Sequence, residues 1–404
     1  MLGLYIHVPF CSAICNYCNF NRGLFDAALK QRYVETLVRE IESSTEQTDG
    51  GIKIRSVSDG NERGWGPARI RKSKTGAPRA AADTIFFGGG TPSLLEPEEV
   101  GRIIAACEHA FDLATDREVT LEANPESVTE DRLAAYRAAG VNRLSFGVQS
   151  FRDDELKRLS RLHGADRARA AMAEARRAGF DNVSLDLMMW LPGQQVAQWL
   201  ESVDAAIALA PEHLSLYMLE VYPNAPLKDE MARSQTSQAP DEDAAAMYLT
   251  AMERLEAAGL DQYEISNVAR HGRRARHNLK YWTDGEWLGF GCGAHSTRGG
   301  ARWKNVASTE EYIARVQAGD DPAIEKRQLP PAEQLGDALF TGLRLSQGLD
   351  LAEIDRRYGV HVWQRYAADL EPFIEAGCLI REETTLRLTR RGMLLAHEVM
   401  SVFV

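Results

Sequence analysis

The sequence predicts an α/β fold: a partial (β/α)6 barrel followed by a C-terminal winged-helix-like α+β unit. Two observations carry this. Between residues 4 and 219, short apolar runs rich in β-branched and aromatic residues alternate with amphipathic stretches about six times, and strand–helix–strand repetition builds parallel sheets. After a Pro-containing segment at 322–331 the pattern changes to helix, helix, short hairpin, helix.

The strands read, in order, as LYIHV (4–8), TIFFGGG (84–90), VTLEANPE (119–126), RLSFGVQS (143–150), VSLDLMM (183–189) and HLSLYML (213–219). Val34, Leu37, Val38 and Ile41 share one face of a helix near 27–44, and Ala197, Leu200, Val203 and Ile207 share one face of another, since residues three and four apart stack on a helix surface. The barrel and its extension are assigned to 1–300 and the C-terminal unit to 325–404. That unit carries comparable acidic and basic content, so packing or partner contact is expected of it rather than DNA binding. An insertion at about 47–82 interrupts the first crossover. Residues 51–80 hold eight Lys/Arg against two Asp/Glu, which reads as a solvated, mobile surface loop.

The 404 residues are 44% hydrophobic and 26% charged, with net charge −11. That is the make-up of a globular protein, and it disfavours broad binding to nucleic acid or to an anionic membrane. No apolar run approaches a membrane span, and the first residues lack the basic and apolar regions of a signal peptide. The expectations are therefore a cytoplasmic protein with no stable membrane insertion and no nucleic-acid partner. In a reducing compartment its six cysteines point to metal or redox chemistry rather than disulfides.

Three of them, Cys11, Cys15 and Cys18, stand within YIHVPFCSAICNYCNFN at 5–21, while Cys107, Cys292 and Cys378 lie far off. Thiolates ligate iron–sulfur clusters, and a cubane ordinarily takes four. Three leave one iron open to a small molecule. A zinc site of three cysteines and a distant histidine is the structural alternative. The spacing disfavours it, because zinc sites generally pair two short hooks across a longer gap. His7, the nearest histidine, falls within the first strand. Cys107 and Cys378 sit on apolar helical faces and read as core, and Cys292 reads as a small residue between glycines.

The C-x3-C-x2-C loop after the first strand of a β/α repeat resembles the radical S-adenosylmethionine (SAM) superfamily. Such barrels carry their chemistry at the C-terminal strand ends. The resemblance implies a [4Fe–4S] cluster on Cys11, Cys15 and Cys18, with SAM on the open iron. It also implies electron transfer from the cluster that cleaves SAM to a 5′-deoxyadenosyl radical. The implied SAM contacts are Tyr5, Gly89, Gly90 and Thr91 of the GGGTP turn, Glu122, Gln149, Asp186 near successive strand ends, and Arg161.

The stretches FFGGGTPSLL, LEANPES, RLSFGVQSF, LPGQ, QYEISN, HNLKYW and GAHS narrow the resemblance. They look like the family that joins oxygen-independent coproporphyrinogen III dehydrogenases to heme chaperones, over nearly the whole chain outside the insertion. Dehydrogenases carry an extra cysteine two positions after the third ligand. Phe20 stands there, as in the chaperone branch. HNLKYW matches that branch's H-N-x-x-Y-W motif, which implies heme contact by His277 as axial ligand, with Asn278, Tyr281 and Trp282; His295 is a weaker second histidine. The implied function is a heme chaperone that binds heme and a SAM-coordinated cluster, passes heme to acceptor proteins and draws on an electron donor. The alternative is the dehydrogenase itself, which would make it an enzyme, and a zinc-stabilised binding protein is remote. Members commonly carry Tyr-Gly before Leu-Pro-Gly-Gln, where this chain has Met189–Trp190, so a reshaped pocket is expected there.

Overall fold

The computed structural model describes residues 1–44 and 79–404. Most of the expected basic insertion lies outside the described residues.

Six parallel strands form the heart of the molecule: β1 (Leu2–Val8), β2 (Ala81–Gly89), β3 (Asp112–Ala123), β4 (Arg143–Gln149), β5 (Val183–Met189) and β6 (His213–Met218). They pair in that order. Both faces are covered, so β1 and β2 are almost continuously apolar and buried, as parallel strands must be. Because the strands run the same way, Val8 pairs with Gly89 and Gln149 with Leu187, and the C-terminal ends gather at one mouth.

The sheet does not stop at six strands. It extends by β7 (Asp261–Glu264) and β8 (Asn267–Ala269) beside β6, and by β9 (Trp287–Phe290), β10 (His295–Arg298), β11 (Ala301–Asn305) and β12 (Ala323–Gln328) beside β1. The linear order β12-β11-β10-β9-β1-β2-β3-β4-β5-β6-β8-β7 leaves the barrel open. β9 is parallel to β1 and the outer strands are antiparallel. The sheet thus runs on to Gln328, past the expected boundary at 300. The pattern is weaker there because β12 is exposed on both faces from Glu325 onward and reads AIEKRQ.

Helix α1 (Ala27–Ser43) is started by Asp26, whose carboxylate accepts from Leu29 N at 2.7 Å, satisfying one orphan donor of the first turn. It buries Val34, Leu37 and Ile41 as the spacing predicts, with Val38 packed at the margin, and buries Tyr33 beside them. The helix Val196–Ala208 buries Leu200 and Val203 of its expected face, with Ile207 packed at the margin, but Ala197 is exposed and Trp199 and Ala206 are buried as well. Trp199 widens the buried face, because its indole N–H donates to Met247 O at 3.0 Å inside the core, and the largest apolar side chain gains most from burial.

The C-terminal unit has helices Pro331–Gly342, Leu351–Tyr358 and Val362–Glu375, the hairpin Leu379–Glu382/Thr385–Leu388, and two short closing helices. Leu349–Asp350 adds a third strand. This is the expected winged-helix-like order. It is joined to the barrel through Ile265 N to Arg344 O (3.1 Å) and Ser346 N to Tyr263 O (3.0 Å). Among the described residues no helix is long and apolar enough to cross a membrane.

Candidate cofactor site

The cysteine loop is drawn tight at its root. Phe10–Cys11 pairs with Gly23–Leu24, Gly23 N donates to Pro9 O (2.7 Å) and Phe25 N to Cys11 O (2.9 Å). Within the loop Cys18 N donates to Cys15 O at 3.2 Å, and Arg22 donates to the carbonyls of Cys18 and Phe20. Cys11 is buried while Cys15 and Cys18 are partly exposed, and all three line one cavity of about 360 Å3 at the mouth. Two thiols have hydrogen-bond donors aimed at them: Thr91 Oγ1 lies 3.6 Å from Cys11 Sγ and Arg161 Nη1 3.5 Å from Cys15 Sγ.

The expected SAM residues are largely gathered around the same space. Gly89, Gly90, Thr91, Glu122, Gln149, Arg161 and Asp186 all line it. Tyr5 does not. It faces an adjoining lumen cavity, stacked on Phe86 at 6.2 Å, with its hydroxyl 3.1 Å from His7 Nδ1. The glycine turn is pinned against the cysteine loop by Gly90 N to Val8 O and Thr91 N to Phe10 O, both 2.7 Å. A Cβ on Gly90 would meet Phe10 O at 2.7 Å and Cys11 Sγ at 3.1 Å. Gly90→Ala is therefore expected to displace the first ligand strand and to lower the iron content of reconstituted protein at least twofold. Iron and sulfide analysis beside the parent protein checks this.

Gln149 sits at a bulge in β4 with φ 68, a conformation costly for a non-glycine residue and frequent beside functional sites. Its Oε1 is buried without a partner, as are Arg161 Nε and Arg22 Nε. Arg161 is otherwise held by Asn124 Oδ1 and Gly147 O, each at 2.8 Å. Buried polar atoms are normally paired, so these orphans around one cavity mark a polar ligand's place. Glu122 accepts from Gly89 N at 3.2 Å. Burial, and then the charge of Asp186, pushes its pKa up to about 8, so it keeps its proton at neutral pH. Asp186 is also raised by burial, while the hydroxyls of Ser215 and Ser145 draw it back.

A cluster and SAM fit these residues better than zinc does. A zinc ion needs its ligands converged to about 2.3 Å from one point. Beside the three thiols it would need a fourth ligand to close a tetrahedral site. His7 is no fourth ligand, because its Nε2 is 2.9 Å from Asn21 O. Cys107 and Cys378 are buried core, and Cys292 is packed beside Tyr33 and Thr309.

The heme expectation at His277 meets a different geometry. Helix Arg276–Trp282 is docked by Glu118, which accepts from Arg276 N (3.0 Å) and His277 N (3.1 Å). His277 is fully buried, with Nδ1 2.8 Å from Thr84 Oγ1 and Nε2 2.9 Å from Tyr281 Oη. Both ring nitrogens are taken, and burial pushes its pKa down to about 3. An axial ligand needs a nitrogen to spare, and this conformation offers none. Asn278, Tyr281 and Trp282 do line a cavity, the lumen cavity that Tyr5 faces. His295 is exposed on β10 and lines neither cavity.

Trp190 has φ 63, a left-handed position that favours glycine. Its indole turns away and donates to Ala239 O at 2.8 Å. It lines neither cavity, so the expected reshaping is not seen. Sequence reasoning missed Asn124, Tyr217, Arg143 and Arg344. The first lies inside the ANPE motif and Arg143 opens RLSFGVQS, but nothing local marks Tyr217 or Arg344.

The radical SAM superfamily model matches residues 68–206, and the HemN C-terminal domain model matches 329–395. A heme chaperone HemW of Bacillus subtilis (strain 168) is 34% identical over 405 residues, covering 100% of this chain and 99% of the relative. One from Mycobacterium tuberculosis (strain ATCC 25618 / H37Rv) is 37% identical over 98% of this chain and 93% of its own. Among solved structures, the coproporphyrinogen III oxidase HemN of Escherichia coli superposes with a TM-score of 0.81 over 100% of this chain and 89% of that one, at 21% identity. That likeness bears on the fold. The three-cysteine mouth, the glycine turn beside it and the full-length similarity agree, and the chain belongs to the HemN/HemW family of the radical SAM superfamily.

Proposed function

We propose that this protein is a heme chaperone that carries a SAM-coordinated [4Fe–4S] cluster and passes heme to acceptor proteins. The carrying observation is the full-length identity of 34% to a heme chaperone, against 21% to the coproporphyrinogen III oxidase structure. Cys11, Cys15 and Cys18 would hold the cluster. The orphaned Gln149 and Arg161 atoms, with the polar main chain of Gly89–Thr91, would receive the polar groups of SAM. When bound, the pair supplies one-electron reductive chemistry, for which an electron donor is the implied partner. The chain's own part is to orient. Arg161, beside Cys15 Sγ and tied to Asn124, sets a positive charge at the ligand's side, and the protonated Glu122 offers a hydrogen-bond donor.

The dehydrogenase reading is favoured by the HemN fold likeness alone. One experiment separates the two. Anaerobically reconstituted protein is given SAM, reductant and coproporphyrinogen III, and in a parallel sample hemin. The chaperone reading expects a stoichiometric heme absorption band and no protoporphyrinogen IX. Multiple turnovers to protoporphyrinogen IX would replace it with the dehydrogenase.

A further inference from the structure

The lumen cavity, of about 390 Å3, shares Glu122, Ser145, Asp186 and Tyr217 with the mouth cavity, and its wall is short of partners in one direction. Arg143 on β4 is 1% exposed. Its one side-chain hydrogen bond among the described residues is a long 3.5 Å approach to Thr120 Oγ1, and its Nε is bare. Trp282 Nε1 and Arg344 Nε are likewise buried without partners, against a single orphaned acceptor in the wall, Asn267 Oδ1. Three N–H donors from β4, the Arg276–Trp282 helix and the C-terminal unit therefore surround one space.

The charges are unequally matched. Arg344 is paired with the fully buried Glu264 at 3.0 Å and lies over the Trp282 ring at 4.3 Å. Among the described residues no carboxylate pairs directly with Arg143, although its charge reaches Asp186 and Glu122. Glu122 holds its proton at neutral pH, and Asp186 is already engaged by the Ser145 hydroxyl at 3.1 Å. A buried guanidinium without a hydrogen-bonded anion is costly, and planar guanidinium groups are suited to carboxylates. Binding an anion here would satisfy Arg143 and the two neighbouring donors together.

We propose that the lumen cavity is a carboxylate subsite, with Arg143 as its charge and Trp282 and Arg344 as flanking donors, which takes a propionate arm of the bound tetrapyrrole. This rests on the heme reading for the tetrapyrrole, though not for the carboxylate. It gives the C-terminal unit a part in the site, since Arg344 follows its first helix, Pro331–Gly342.

The test compares hemin, hemin dimethyl ester and metal-free coproporphyrin III on the full chain with its cluster loaded. Hemin is expected to bind at least tenfold tighter than its diester. Arg143→Gln should bring the two near parity. Trp282→Phe should weaken hemin about threefold. It deletes a donor that has no protein partner, so it should fold normally even if Arg143→Gln does not. Equal binding of hemin and diester by the parent protein overturns the subsite and leaves the chaperone reading standing. Coproporphyrin III bound in an Arg143-dependent way, with no hemin uptake, overturns the chaperone reading and keeps the subsite. No tetrapyrrole binding at all overturns both.

Discussion

Cys15→Ala is expected to leave anaerobically reconstituted protein colourless, with acid-labile sulfide near zero and iron reduced at least tenfold. Three thiolates are the smallest set that keeps a cubane while leaving one iron open, and two rarely retain it. Cys15 is also the proposed ligand whose sulfur receives the Arg161 guanidinium at 3.5 Å, so its loss removes a contact of Arg161 beside those to Asn124 and Gly147. Cys11→Ala and Cys18→Ala should behave alike. The control is Cys107→Ala. That thiol is fully buried in the helix Pro97–Ala110, where burial pushes its pKa up to about 12, and a thiol kept protonated in an apolar core is inert towards metal. Truncating it costs about 1 kcal/mol of stability through a small cavity and should leave iron and sulfide unchanged. A Cys15→Ala protein that still carried a full complement of iron and sulfide would remove the basis for the assignment.

The reason the cluster loop could be read from sequence, and the lumen could not, lies in how each is built. Cys11, Cys15 and Cys18 are local: one loop, fixed spacing, directly after a strand whose apolar run is unmistakable. Most residues expected to meet SAM line one cavity because parallel strands end at one mouth, so topology brings Glu122, Gln149 and Asp186 together. The lumen donors obey no such rule. Arg143 stands at the start of a strand, where an arginine ordinarily signals a solvated end. Arg344 arrives from a helix-end loop 201 positions later in the numbering, and only the docking of the C-terminal unit on Tyr263 and Ile265 places it there. Helix periodicity placed the Val34–Ile41 face correctly because four apolar residues agreed. In Val196–Ala208 it placed Leu200 and Val203 but chose Ala197 where Trp199 is the buried residue. The insertion's basic content gave no usable signal for the site.

His277→Ala is expected to act on stability rather than on heme. The imidazole is fully buried, stacks on Phe86 at 5.2 Å and meets the Tyr281 ring edge-on at 5.4 Å. Its removal strands the hydroxyls of Thr84 and Tyr281 and opens a cavity under β1. Stranded buried groups cost about 1–3 kcal/mol each and the lost packing adds more, so a loss of roughly 3–5 kcal/mol is expected at pH 7.5. The pH dependence supplies a second readout. Burial, reinforced by the Lys280 charge, lowers this histidine to about 3 when folded, below its unfolded value of about 6.5. The unfolded chain therefore takes up the proton first as pH falls. The contribution is complete above about pH 6.5 and is lost towards pH 3, at ~1.4 kcal/mol per pH unit. His213, also lowered by burial, adds a slope of the same sign in both proteins, so the comparison isolates His277. The gap between parent and variant, measured by urea denaturation, should shrink by ~2 kcal/mol between pH 7.5 and pH 5. Hemin uptake by variant that remains folded should match the parent. If uptake were abolished while stability and its pH slope stayed unchanged, His277 would be an axial ligand after all, and the helix carrying it would have to open to let iron in.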